Sequence, residues 1–190
     1  GKIENIAFSP DNRTFAAAST DTIRLWRIDK PSNPAIFPCQ GQLLFRSRKD
    51  VDIVDVMAFS PDGTWLAAGE NINDDVLVQL WNLNDDSLST SLKPERGGDD
   101  RILALAFTSD SKRLVIADGY TVQIANLAAD GNFSMLGRHD REGHSLDRHG
   151  QWVLTIAISP DDHWLVSAGI DSVVKLWDLT NPSARPLDLP

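Results

Sequence analysis

A single cysteine, Cys39, is all the chain has, so no internal disulfide and no cysteine-rich metal site is available to it. That scarcity fits a reducing compartment, and a cytoplasmic location is the expectation. No apolar run approaches the roughly 18 residues of a membrane-spanning helix, and the opening Gly1-Lys2-Ile3-Glu4-Asn5 lacks the core of a signal peptide. Basic charge is also short. Eighteen Lys and Arg stand against 27 Asp and Glu, a formal charge of −9 in 190 residues. A general binder of nucleic acid or of an anionic membrane needs the opposite balance to neutralise phosphates, so neither partner is expected. Glycine and proline are scattered, and no segment reads as collagenous or as a low-complexity tract.

What the chain does have is one phrase written four times. Ile6-Ala7-Phe8-Ser9-Pro10-Asp11 returns as Met57-Ala58-Phe59-Ser60-Pro61-Asp62, as Leu105-Ala106-Phe107-Thr108-Ser109-Asp110 and as Ile156-Ala157-Ile158-Ser159-Pro160-Asp161. Each copy is followed by an apolar run beginning at Phe15, Leu66, Leu114 or Leu165. A polar break follows, and then a second run: Ile23-Arg24-Leu25-Trp26, Val78-Gln79-Leu80-Trp81, Val122-Gln123-Ile124-Ala125 and Val174-Lys175-Leu176-Trp177. Runs this short, rich in Val, Ile, Leu and aromatics and bounded by Pro, Asp, Gly and Asn, read as strands. Their alternation is imperfect, as expected of sheets buried on both faces. Ser60-Pro61-Asp62-Gly63 suits a type I turn. Spacing places a fourth, outer strand at 35–39, 88–92, 133–136 and 185–189. The units then span about 1–39, 51–92, 101–136 and 151–189, with four strands in each.

These repeats resemble the WD-repeat family, and the fourth unit carries the likeness best, from His149 and Trp152 through Leu165-Val166-Ser167-Ala168-Gly169-Ile170-Asp171 to Trp177-Asp178. The resemblance implies an all-β fold: a β-propeller of four four-stranded antiparallel blades, part of a larger ring or of one completed by a second copy. It also implies a structural hydrogen-bond network of His149, Ser167, Asp171 and Trp177, with the buried indole N–H finding an acceptor. The other units depart from that pattern. Ala17, Ala68 and Ile116 stand at the serine position, and Ala125 replaces the tryptophan in the third unit. Those three are expected to hold by packing, with the third the least ordered. The long repeat period, with Lys30-Pro31-Ser32-Asn33-Pro34 after the third strand, is similar to bacterial WD-repeat arrays. Some of those sit beside STAND-type NTPases or caspase-like peptidases, and a structural segment of such an enzyme is the alternative reading.

A blade buries its faces only by stacking on another, so the first and fourth units are expected to offer open apolar faces, which mark interaction surfaces. Further blades, from a longer chain or a second copy, are the expected partners there. The loops 40–50, 93–100 and 137–149 should share one edge of the blades with turns holding Asn71 and Asp171. Arg46, Arg48, Lys49, Arg96, Arg101, Arg138, Arg141, Gln151 and Trp152 would gather there as a rim for a protein or peptide partner, since Trp and Arg are enriched at binding hot spots. Catalysis is not expected. His139, His144 and His149 are spaced five apart, which is no zinc pattern, and the paired aspartates sit in turns, where Asp is favoured. No glycine loop for phosphate and no nucleophile elbow is present. The expectation is a non-catalytic scaffold or sensor without metal or cofactor.

Overall fold

Each recurring phrase closes one strand and opens a turn, and every turn is built the same way. In the computed structural model, which describes residues 3–19, 22–38, 53–72, 75–84, 89–94, 101–127, 133–138 and 152–189, the hydroxyls of Ser9 and Thr108 donate to Asp11 and Asp110, both at 2.6 Å. Ser60 and Ser159 do the same to Asp62 and Asp161. Each carboxylate accepts the backbone N–H two residues on, and each hydroxyl accepts the N–H of the residue that starts the next strand. The expected turn at Ser60 forms, with the Gly63 N–H donating to the Ser60 carbonyl at 2.9 Å. Its fourth residue is left-handed, φ +73°, a conformation free of steric cost only for glycine. Asn12, Ser111 and Asp162 hold the same place with φ of 58°, 59° and 58°.

Strands leave these turns as four antiparallel meanders, each in simple sequence order. Blade 1 consists of β1 (Ile3–Phe8), β2 (Thr14–Ser19), β3 (Thr22–Arg27) and β4 (Lys30–Pro38); blade 2 of β5 (Ile53–Phe59), β6 (Trp65–Ile72), β7 (Asp75–Asn82) and β8 (Ser89–Leu92). Blade 3 consists of β9 (Ile102–Phe107), β10 (Arg113–Asp118), β11 (Thr121–Asn126) and β12 (Phe133–Arg138); blade 4 of β13 (Val153–Ile158), β14 (Trp164–Gly169), β15 (Val174–Asp178) and β16 (Leu187–Leu189). Blades 1 and 2 lie in one compact unit, Gly1–Lys93, and blades 3 and 4 in a second, Pro94–Pro190.

Three expectations need correction. Asn71 is not in a turn: it pairs with Val76 inside the long β6–β7 hairpin. The outer strand of blade 1, expected at 35–39, begins already at Lys30, because the chain turns back at once and Lys30 pairs with Arg27. Arg138 ends β12 opposite Thr121, so the loop after it starts later than the sequence indicates. Blade 3, expected to be the least ordered, has five consecutive buried residues in both β10 and β11.

A feature with no sequence forecast is a bulge near the start of every first strand. The pairing skips Glu4, Asp55, Leu103 and Leu154 at matching places, and the extra residue bends and twists the strand locally.

Because side chains alternate across a strand, each blade has two faces. One carries the tryptophan position and is called the tryptophan face; the other, carrying the positions between, is the reverse face. Within each unit, the reverse face of the first blade packs on the tryptophan face of the second. Ala16, Ala18, Ile23 and Leu25 meet Met57, Leu66, Ala68 and Trp81 in one cluster. Val115, Ala117, Val122 and Ile124 meet Leu165 and Trp177, with Ile156 and Ile158 against them.

Candidate interaction surface

The predicted polar network begins in the core of blade 4. The Trp177 Nε1–H donates to the Ser167 hydroxyl at 2.7 Å, across neighbouring strands whose register places both side chains on the tryptophan face. Asp171 sits in the turn after β14 and its carboxylate accepts from the Val173 N–H at 3.2 Å. His149 lies outside the described residues. Ser167 also faces Lys175 in the register, and the Lys175 ammonium meets Asp188 at 2.6 Å. The lysine side chain is nearly buried and the aspartate largely exposed, so this is a half-solvated pair.

Main-chain bonds assemble one edge of the second unit. The Gly119 N–H donates to the Arg101 carbonyl at 2.9 Å, and the Val153 N–H donates to the Gly119 carbonyl at 2.8 Å. The Ile170 N–H donates to the Trp152 carbonyl at 3.0 Å. With Arg138 opposite Thr121 at the end of the same β10–β11 hairpin, the chain at Arg101, Arg138 and Trp152 comes to one edge. Gly169 is needed there: a Cβ on it would collide with the Trp152 carbonyl oxygen. Arg101 is exposed and Trp152 half-buried. Of the other rim candidates, Arg46, Arg48, Lys49, Arg96, Arg141 and Gln151 lie outside the described residues, as does the side chain of Arg138. His139 and His144 lie outside them too.

At the opposite strand ends, the turn hydroxyls set the electrostatics. Donation from Ser9, Thr108 and Ser159 holds the carboxyls of Asp11, Asp110 and Asp161 below the usual aspartate range, and the backbone N–H groups of Arg13, Lys112 and His163 add to it. Asp178 is lowered in the same way, first by the Thr180 hydroxyl. The Arg27 guanidinium is gripped by Asp29 through two bonds, at 2.9 and 2.8 Å, which lowers the Asp29 carboxyl and raises the guanidinium.

One inter-blade contact escaped the sequence reading. The N–H of Ser109 donates to both carboxylate oxygens of Asp162, at 2.8 and 2.9 Å, and its hydroxyl to one of them at 2.6 Å. The clue was there: Ser109 stands where the other three repeats have proline, and proline has no N–H to give.

With this geometry in hand, comparison with known proteins is decisive at the level of family. The family described as WD domain, G-beta repeat matches residues 1–27, 46–82 and 141–178, over half of the chain. The chain belongs to the WD-repeat family. The match leaves out blade 3, the one with Ala125 and Ile116 at the tryptophan and serine positions. Among curated relatives, WD repeat-containing protein 1-B of Xenopus laevis is 27% identical over 154 residues, 77% of this chain and 24% of that protein. A subunit of chromatin assembly factor 1 from Gallus gallus is 26% identical, over 88% of this chain and 23% of its own length. Target of rapamycin complex subunit wat1 of Schizosaccharomyces pombe is 21% identical, over 96% of this chain and 66% of its own. The WD-repeat chain thus spans about a quarter of the length of the first two. Among solved structures, that of U3-55K superposes with a TM-score of 0.70 at 22% identity, covering 98% of this chain and 51% of that one. This likeness speaks for the fold, an all-β array of propeller blades.

Proposed function

We propose that this WD-repeat chain is a non-catalytic protein-interaction scaffold working in the cytoplasm. Its outer blade faces take further WD blades, and its Arg101–Trp152 edge takes a protein or peptide partner. Two of the relatives are named as subunits, of a chromatin assembly factor and of a target of rapamycin complex, and membership of assemblies is what the reading carries over to this chain. The observation that carries it is an apolar face left open where its counterparts are covered. On the tryptophan face of blade 1, Ile6 is 70% and Phe8 65% exposed, and Phe15 stacks on Trp26 with centroids 5.1 Å apart. The same face of blade 2 is buried beneath its neighbour. The reverse face of blade 4 is likewise open, with Leu187 59% exposed. Exposed apolar surface of this kind marks a contact site.

Light scattering coupled to size exclusion tests the reading. The chain is 20.9 kDa. At micromolar concentration the expected result is a mass of twice that or more, or soluble aggregate, from pairing of the open faces. A monodisperse monomer that unfolds cooperatively and fails to associate as the concentration is raised tenfold would sink it.

A further inference from the structure

In each unit the first-hairpin turns of the two blades come side by side, and equivalent positions there carry mostly different residues. In the second unit, side chains span the space. Ser109 and Asp162 clamp the turns together, and the Arg113 guanidinium extends from the start of β10 to the carbonyl of Leu179 on the neighbouring blade, Nη1 to oxygen 3.4 Å. In the first unit the equivalents are Pro10 for Ser109, Gly63 for Asp162, Thr14 for Arg113 and Leu83 for Leu179. The equivalence is fixed by the backbone. The Leu83 N–H donates to Thr64 as the Leu179 N–H donates to His163, and Thr14 and Arg113 each donate their N–H to the turn hydroxyl. Proline cannot donate, glycine has nothing to reach with, and threonine is too short. A cleft of about 810 Å³ remains, lined by these four residues and by Asp11, Asp62 and Arg27 among others.

The chemistry of the lining selects its occupant. Among the described residues, Arg27 is the sole cationic side chain lining it, and it is already held by Asp29 through two hydrogen bonds. Asp11 and Asp62 stand on the two turns that form the cleft, and Leu25, Ala35 and Leu83 add apolar surface to its lining. A long side chain with an apolar stem and a planar cationic head fits that lining.

We propose that the cleft between blades 1 and 2 binds an arginine side chain of a peptide partner, its guanidinium lying against the Leu83 carbonyl where Arg113 lies against Leu179 in the other unit, and facing Asp11 and Asp62. The cleft belongs to the first unit and the Arg101–Trp152 edge to the second, and the proposal does not depend on that edge.

The test is amide chemical-shift titration of the full chain with acetyl-Gly-Arg-Gly-amide, and with the same peptide carrying citrulline, the neutral isostere. Shifts centred on Asn12, Gly63, Leu83 and Asn84 are expected, with a dissociation constant on the order of 1 mM, as suits one side chain, and at least about tenfold weaker binding of the citrulline peptide, the loss of one charge-assisted contact. Thr14→Arg, which supplies the occupant from within, should abolish the shifts, and Thr14→Ser should keep them. Should Thr14→Arg fail to fold, the double variant Pro10→Ser with Gly63→Asp closes the cleft by the clamp that the other unit already uses. Equal binding of both peptides, shifts clustered elsewhere, or unchanged binding when the cleft is closed would overturn the proposal.

Discussion

Trp177 and Ser167 lie ten residues apart and meet through one hydrogen bond of 2.7 Å in a buried site. The other blades use Ala17, Ala68 and Ile116 at the serine position, all buried, so the polar pair is a substitute for apolar packing that only blade 4 has adopted. Removing one partner of a buried hydrogen bond is more damaging than never having had it. Ser167→Ala is therefore expected to lower stability by about 1–3 kcal/mol, read from urea unfolding followed by circular dichroism, while Ser167→Thr, which retains a hydroxyl, stays close to the parent. An alanine variant as stable as the parent would show that the bond adds nothing. This pair was legible through the resemblance to the WD-repeat family, whose pattern the serine and tryptophan of the fourth repeat match. The Ser109–Asp162 clamp was not, because its signal is the absence of a proline, and an absence does not say what takes its place. Lys175 and Asp188 were hidden for another reason. They become neighbours only once β16 is registered against β15.

At the scale of the element, the repeated turn is the unit of construction. Three of its aspartates, Asp11, Asp110 and Asp161, titrate below the ordinary aspartate value because a turn hydroxyl donates to each first and a backbone N–H second. A carboxyl whose folded value lies below its unfolded value of about 3.9 adds stability above that pH and loses it as pH falls through the folded value. The urea midpoint is thus expected to hold from neutral pH down to about 4 and to drop below it. Asp110→Asn, which has no proton to take up, should make that acid limb shallower. An acid limb as steep as the parent's would remove these turns from the account. The strands themselves were readable because each apolar run is short and ends at a turn residue. The imperfect alternation in the first strands has a second cause besides two-sided burial. The bulges at Glu4, Asp55, Leu103 and Leu154 each insert one residue and shift the pattern by one, which a period count reads as noise. The extra length of β6 was missed because Glu70 and Asn71 are polar. Glu70 is nonetheless buried, so hydropathy pointed to a turn where the backbone ladder continues to Ile72.

For the whole molecule, the open faces make equivalent places in the repeat behave differently. Ile6 and Met57 occupy the same position, each pairing with an alanine of the next strand, Ala17 and Ala68. Ile6 is 70% exposed and Met57 8%, because blade 1 covers the tryptophan face of blade 2 and its own tryptophan face is open. Threonine keeps strand propensity, so the two substitutions differ mainly in burial. Met57→Thr should cost about 2–4 kcal/mol, the range for truncating a buried large side chain. Ile6→Thr should stay within about 0.5 kcal/mol, as surface changes do, when unfolding is measured at concentrations dilute enough to avoid association. Raising the concentration should then separate them in the opposite sense. Ile6→Thr weakens self-association, since its apolar surface is the contact, while Met57→Thr leaves the contact face intact in the folded fraction. Equal costs at high dilution would mean that Ile6 is covered in the isolated chain. Equal self-association of parent and Ile6→Thr would mean that the tryptophan face of blade 1 is not where another blade docks.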